Sequence, residues 1–272
     1  MADLEPLIRF WRAQDDLFDR VEPTRWGAVV SDPRFPHVQE ANYARVETRQ
    51  AVDLAEVETE LLPALARSSC DRAHVVVFHP EEQTDLLAHA STRGERLVWN
   101  LVMLHEGPAA LALADPVREV TVFDDAFRVE LRASTRLFDV SDDRVLDELS
   151  AMERDVLVPA GRRWFVVRNP EGRAVAFTAL LVLEGVSFID HVLTLPEARR
   201  RGHATALTRR VLIESRGAGV ERTYLLAEPD GIAARLYTRL GFERVAHFAS
   251  WTSSLEADRS VEARLPVGNP WP

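Results

Sequence analysis

The chain has 272 residues, a formal net charge of −10, 33 basic residues that are all arginine, and a single cysteine, Cys70. That length suits one large or two modest domains; one cysteine excludes an internal disulfide and a cysteine-based zinc framework; and the acidic balance excludes a general nucleic-acid binder, whose affinity comes mostly from phosphate neutralisation by Lys and Arg. No run approaches the roughly 18 consecutive apolar residues of a membrane span, and Met1-Ala-Asp-Leu-Glu5 lacks the basic-then-apolar order of a signal peptide, so a cytoplasmic protein without a membrane partner is expected.

In the first 115 residues, Val52 to Arg67 has the apolar spacing of an amphipathic helix. Val75-Val-Val-Phe-His79-Pro80 reads as a strand and its exit, Glu81 to Ser91 as a helix, and Gly94-Glu-Arg-Leu-Val98 as the approach to another strand. No glycine-containing phosphate loop precedes residue 115. His74 and His79 bracket a strand without a third ligand at suitable spacing, and His105-Glu106-Gly107 is not followed by a second histidine, so no metal is expected. Trp26, Trp99, Trp164 and Trp251 read as core or pocket wall.

Beyond residue 115 the order of elements is clearer. Arg118 to Phe123 alternates like a strand, while Asp125 to Phe138 and Asp142 to Val156 have helical spacing with acidic starts. Trp164 to Val167, the turn Asn169-Pro-Glu-Gly172 and Ala174 to Leu183 form a hairpin. Glu184-Gly185 turns into a third strand, Val186 to Thr194. The chain then reads Leu195-Pro-Glu-Ala-Arg199-Arg-Arg-Gly202-His-Ala204-Thr-Ala-Leu, a strand running into an arginine-rich turn that opens a helix, Thr205 to Arg216. A helix start of this kind offers unpaired N–H donors and a favourable dipole to a phosphate, with Arg199, Arg200 and Arg201 adding fixed charge. Gly202 allows a close approach without a Cβ, Ala204 keeps the next one nearly bare, and Thr205 offers a hydroxyl. Arg209 and Arg210, one helix face later, read equally as further phosphate ligands or as a solvated face.

After Gly217-Ala-Gly219 and a strand Thr223 to Ala227 comes Asp230-Gly-Ile-Ala233-Ala-Arg-Leu236-Tyr237-Thr-Arg-Leu-Gly241-Phe242. The two motifs in this order resemble the GNAT N-acetyltransferase superfamily: Arg199-x-x-Gly202-x-Ala204 its acyl-CoA loop, and Ala233-x-x-Leu236-Tyr237-x-x-x-Gly241-Phe242 its second landmark. The resemblance covers Arg118 to Ser253. It departs from the family at Asp230, where an asparagine is usual; aspartate can cap the helix as well but places a negative charge near the cofactor. The resemblance implies an α/β fold with a mixed sheet, and acetyl-CoA as acyl donor. It implies contacts from Val192, Leu193 and Thr194 through their backbone, from Arg199, Arg200, Arg201, Gly202, His203, Ala204 and Thr205 at the loop and helix start, and from Asp230 and Ala233.

The two halves echo one another. Val75 to Pro80, a helix and Gly94 to Val98 parallel Tyr224 to Pro229, a helix and Gly241 to Val245, each behind an amphipathic helix. One reading is a tandem GNAT fold with a degenerate copy at 1–115, a complete domain at 116–254 and a loosely held tail at 255–272, in which Ser31 to Gln39 occupies the place of the cofactor loop; the other is two unrelated strand-helix-strand units.

An amine attacks a thioester only as the free base, so acetyl transfer needs a proton acceptor and a donor to the leaving thiolate. The resemblance makes Tyr237 the general acid. The strand glutamate that serves as base in several relatives falls on Phe188 and does not carry over. Asp190 shares its parity with Phe188, Val192 and Thr194 and is the candidate base or amine anchor, or else the partner of a salt bridge. His191 is expected on the opposite face, and Glu184 is the reserve base. The expected reaction is direct transfer from acetyl-CoA to a primary amine in a ternary complex, with a small-molecule amine or a peptide as acceptor and a monomer or homodimer as the working unit. The alternative is a non-catalytic acyl-CoA sensor or regulatory protein, motivated by Asp230 and the missing glutamate.

Overall fold

The computed structural model describes residues 3–107 and 116–255. The expected boundary near 115 and the tail beyond Leu255 lie outside the described residues. The N-terminal half supplies α1 (Glu5–Asp15), β1 (Arg20–Pro23), β2 (Gly27–Ser31), β3 (Tyr43–Val46), α2 (Leu54–Arg67), β4 (Arg72–Val77), α3 (Thr84–Thr92) and β5 (Val98–Glu106). The C-terminal half supplies β6 (Val117–Val120), α4 (Asp125–Thr135), α5 (Asp143–Met152), β7 (Arg163–Arg168), β8 (Ala174–Leu183), β9 (Val186–Thr194), α6 (His203–Gly217), β10 (Arg222–Ala227), α7 (Ile232–Arg239) and β11 (Glu243–Ser254). Aspartates start three of the helices: Asp53, Asp124 and Asp142 each accept a backbone N–H in the first turn of α2, α4 and α5. Among the described residues no helix is long and apolar enough to cross a membrane.

All strands join one mixed sheet in the order β1-β2-β3-β4-β11-β5-β10-β9-β8-β7-β6. Apart from the extra edge strand β6, the order is symmetric about the β11–β5 pair. In each half a parallel pair, β3 with β4 and β9 with β10, is bridged by one helix, α2 or α6. In each half the last strand then leaves its own side: β5 lies between β10 and β11, and β11 between β4 and β5. This interleaving makes the halves share a single sheet.

Adjacent strand residues point to opposite faces, and β9 shows which helices lie where. Ser187 Oγ meets Ser215 Oγ of α6 at 2.6 Å, whereas Phe188 stacks on Phe10 of α1 at 5.4 Å. One face is therefore covered by α6 and, over β2 to β4, by α2, whose Val57, Leu61 and Leu65 pack on Val75, Val77 and Trp251. On the other face α1 bridges the halves, burying Leu7 and Phe10 with Phe78, Phe188, Tyr224 and Phe248. Each such large apolar side chain contributes about 1.5–3 kcal/mol by leaving water.

Three expectations need correction. Ser31 to Gln39 is not the counterpart of the cofactor loop. It connects the antiparallel pair β2 and β3, whereas the cofactor loop joins β9 to α6, so its topological counterpart is the segment 47–53 between β3 and α2, which also lacks glycine. The expected helix Asp142 to Val156 is α5 followed by a wider π-type turn, Glu153–Leu157, closed by Val158 N–H to the Glu153 carbonyl at 2.9 Å. Helices use such turns to redirect a side chain; here Glu153 is buried. Finally, His191 has φ +53°, and the β8–β9 register jumps between Phe177 and Ala179, so a bulge interrupts the alternation assumed for β9.

Candidate active site

The parallel strands β9 and β10 pair only over Val186–Phe188 with Arg222–Tyr224. From Ile189 onward β9 stays bonded to β8 while β10 continues alongside β5, so the two strands diverge and leave an open β9 edge running from Asp190 to Thr194. Val192 and Thr194 are half-buried and Leu193 buried along this edge, and Thr194 Oγ1 is buried without a partner.

The loop that follows passes through a short turn, Pro196–Ala198, then takes positive φ at Arg200 (+65°) and Gly202 (+82°) before α6 begins at His203. A Cβ on Gly202 would meet open space, so its left-handed conformation, rather than crowding, is what calls for glycine in the free protein. Gly202 is the N-cap and has no side chain to cap with, which leaves the first N–H groups of α6 available. Arg199 donates from Nε to the Thr194 carbonyl at 3.2 Å, and among the described residues Arg199, Arg200 and Arg201 form no ion pair and are exposed. Ala204 and Thr205 are half-buried in the same turn. Arg210 is occupied: it pairs with Glu214 at 2.7 Å and its guanidinium lies over Phe165. Asp230 does not cap α7. The N-cap is Gly231, and the exposed Asp230 instead accepts at its carbonyl from Arg235. Ala233 is half-buried in the first turn of α7.

Where β9 and β10 part, a cavity of about 110 Å³ opens between α1, the β2–β3 connection, α4, α5 and β9, with Tyr237 of α7 in its wall. Arg162 is its central ion. One guanidinium nitrogen meets Glu153 Oε1 at 3.0 Å, the other pairs with Asp190, and the plane lies 5.5 Å from the Trp164 ring centre. Trp164 Nε1 donates to the second Glu153 oxygen at 3.0 Å, and the His191 N–H donates to the second Asp190 oxygen at 2.7 Å. Asp190 is thus the partner of a salt bridge, one of the two roles its sequence position allowed. Burial pushes its carboxyl up and Arg162 pulls it back.

Because of the bulge, His191 lines this cavity as Asp190 does, and the expectation that it faces away is corrected. Its ring sits between Phe138 and Trp164 at centroid distances of 4.9 and 5.1 Å, with Nε2 3.3 Å from Ser134 Oγ. Burial and the Arg162 charge lower it to about 3, so it is neutral at any working pH. Tyr237 is 3% exposed; burial and the nearby Asp190 charge raise its phenol. Glu184 sits at the β8–β9 turn with φ +51°, about 20 Å along β9 from Asp190, which removes it as a reserve base.

Three cavity residues had no place in the sequence reading: Arg162, Glu153 and Glu40. The Arg162-Arg163 doublet after a turn was visible, and a buried Asp190 required a cation, but nothing local fixed which one. Glu40 arrives from the N-terminal half on the β2–β3 connection. That connection is fixed to α5 by His37, whose N–H donates to Glu148 at 2.8 Å and whose Nδ1 meets the second Glu148 oxygen at 2.5 Å. It is braced internally by Asn42, which donates to the Phe35 and Val38 carbonyls. Burial, reinforced by the Asp190 charge, pushes the Glu40 carboxyl up to about 6.

Away from this cavity, His79, Glu81 and Glu82 bring three ligand-type atoms within 4.8 Å of one another. Arg49 already pairs with Glu82, and burial together with the Arg49 charge holds the His79 imidazole down, so a cation is in place at that cluster.

A mixed sheet whose central parallel strands splay beside an uncapped, arginine-flanked helix start is the construction of an acyl-CoA N-acyltransferase fold. Residues 125–242 match the model of the acetyltransferase (GNAT) family. Among solved structures, a GCN5-related N-acetyltransferase from Kribbella flavida is similar at 19% identity over 95% of this chain and 99% of that one, with a TM-score of 0.67. A conserved protein of unknown function from Staphylococcus epidermidis ATCC 12228 is similar at 13% identity over 84% of this chain and 90% of that one, also at 0.67. A tandem GNAT protein from the clavulanic acid biosynthesis pathway shares 15% identity over 70% of this chain and 66% of that one, at 0.50. The first two likenesses span both halves of the sheet. No curated protein matches the chain in sequence at a significant level.

Proposed function

We propose that this protein transfers an acetyl group from acetyl-CoA to a primary amine by direct attack, and that its N-terminal half is a degenerate copy of the fold, retained for the wall it gives the acceptor cavity. The observation that carries the reading is the alignment of three features along one path: the uncapped α6 start with unpaired Arg199, Arg200 and Arg201, the open β9 edge, and Tyr237 at the bottom of the splay. The N–H groups of His203, Ala204 and Thr205 suit a pyrophosphate. The Val192 and Thr194 backbone suits an amide-bearing tail, with Asp230, just before α7, and Ala233, in its first turn, as the flanking residues.

Acetyl-CoA supplies the acetyl group as a thioester; the ammonium gives one proton to solvent water, the free amine forms the N–C bond as the C–S bond breaks and gives a second proton to water, and one proton joins the departing thiolate. Tyr237, kept protonated by its surroundings, donates that last proton. The Arg162 clamp with Asp190 and Glu153 holds β9 in its bulged form and so keeps the open edge facing the ligand.

The test is thermal unfolding of the full chain with and without acetyl-CoA, in the wild type and in Gly202→Val. At a ligand concentration 100 times its dissociation constant the wild type should gain about 2.7 kcal/mol, a rise of about 5–10 °C. The β-branched side chain cannot adopt the left-handed conformation at Gly202 without strain, so the variant should lose most of that gain. An unchanged melting point at millimolar acetyl-CoA would rule the reading out.

A further inference from the structure

The cavity carries information about the acceptor that the acyl-CoA groove does not. Its polar wall holds three carboxylates, Glu40, Glu153 and Asp190, against the guanidinium of Arg162. That guanidinium is fully committed to Glu153 and Asp190, leaving one buried N–H, at Nε, without a partner. The second cation in the wall, Arg132, is committed to Asp143 and Asp147. Among the described residues Glu40, unlike Glu153 and Asp190, forms no ion pair, and its carboxylate meets the Gln39 side chain. Trp11, Phe18, Phe138, Trp164 and Phe188 supply aromatic surface around the cavity, and Gln14, Thr135, Ser150 and Tyr237 are among its neutral polar groups.

We infer that the acceptor is a compact primary amine with an apolar body and no acid group, seated between these aromatic rings with its ammonium against Glu40 of the N-terminal half. The inference rests on the acetyl-transfer reading for the fate of the amine, but not for its binding. An ammonium finds an unshared carboxylate and ring faces that attract cations. Among the described residues a substrate carboxylate finds no cation free of an ion pair in this wall and a local excess of negative charge, so a free amino acid is disfavoured while the amine formed by its decarboxylation is accepted. Polyamines and aminoglycosides are disfavoured by the same wall, because it offers one unshared carboxylate and so no counter-charge for their additional ammonium groups. Glu40 also explains why the N-terminal half persists without a phosphate loop: the β2–β3 connection is what delivers the carboxylate.

The proton balance is consistent. Glu40 lies near Asp190 and Arg162 from β9 and β7, near Gln39 on its own connection and near Tyr43 of β3. Tyr43 stays protonated, and burial raises the Glu153 and Asp190 carboxyls as well, while the Arg162 charge pulls both back. With its carboxyl at about 6, the anionic form that holds an ammonium is present above that pH and lost below it.

The experiment is calorimetric titration of the full chain with isopentylamine and with L-leucine, which differ by one carboxylate, together with a separate titration with acetyl-CoA. Isopentylamine should bind at least about tenfold more tightly than leucine, its affinity should fall as the pH drops through about 6, and Glu40→Gln should weaken it about tenfold or more and remove that pH step. Glu40→Asp should recover part of the affinity, and acetyl-CoA binding should be the same in both variants. Leucine binding as tightly as the amine, no binding of isopentylamine at millimolar concentration, or an unchanged affinity in Glu40→Gln would overturn the inference. Amine binding without acetyl-CoA binding would keep this assignment and remove acetyl transfer; acetyl-CoA binding without amine binding would do the reverse.

Discussion

The proposed acid and the proposed anchor of this site are two single residues with opposite histories in the sequence. Tyr237 stands in a motif whose spacing fixes one helical face, and the fold carries it to the point where β9 and β10 separate. Tyr237→Phe removes the proton donor and nothing else of size. Its kcat should fall on the order of 10²-fold with acetyl-CoA affinity retained, and because surroundings raise the phenol, the wild-type rate should show no alkaline loss from this group below pH 10. A variant with an unchanged kcat would mean that Tyr237 is a packed core residue. Glu40, by contrast, was invisible: it lies in a connection without periodicity and reaches Asp190 across 150 positions of sequence, through contacts such as His37 with Glu148 that no local pattern encodes. Asp190 was legible as a buried charge in need of a partner, and His191 was misjudged because strand parity was counted straight through a bulge that only the β8 register reveals.

At the scale of elements, β7, β8, β9, α6, β10 and α7 were readable because each combines a clear period with turn residues, and their observed limits differ from the expected ones by two residues or fewer at nearly every end. The π-type turn after α5 was not, since Glu153–Leu157 continues the helical period and differs only in which way it points its side chains. That turn matters because it presents Glu153 to Arg162, tying α5, β7 and β9 together through a buried cation with two carboxylates. Removing the cation strands both carboxylates in a low-dielectric wall. Arg162→Met should therefore cost about 3–5 kcal/mol in chemical denaturation, whereas Asp190→Asn, which leaves the Glu153 pair intact, should cost distinctly less. Equal stability of Arg162→Met and the wild type would show that the clamp does not hold the bulge in place.

For the whole molecule, the decisive feature is that each half completes the other's sheet. The echo between Val75–Val98 and Tyr224–Val245 was visible as a repeated strand-helix-strand pattern, but the exchange of β5 and β11 was not, because the order of strands in a sheet depends on pairings between residues more than 100 positions apart. Met103 of β5 pairs with Leu225 of β10 on one side and Arg244 of β11 on the other, while Trp251 of β11 faces Val75 of β4. Neither half can open without breaking ladders that belong to both, and α1 lies across the seam with Phe10 fully buried. Two independent domains joined by a linker would melt in two steps. Here calorimetry of the full chain should give one transition whose calorimetric and van't Hoff enthalpies agree. Substitutions at opposite ends of the sheet, such as Val29→Ala on β2 and Phe165→Ala on β7, should each lower that single melting temperature rather than split it, through stability losses of about 1–3 and about 3–5 kcal/mol respectively. A second transition appearing in either variant would mean that the exchanged strands pair too weakly to couple the halves, and the acceptor cavity, built from both, would then open before the molecule unfolds.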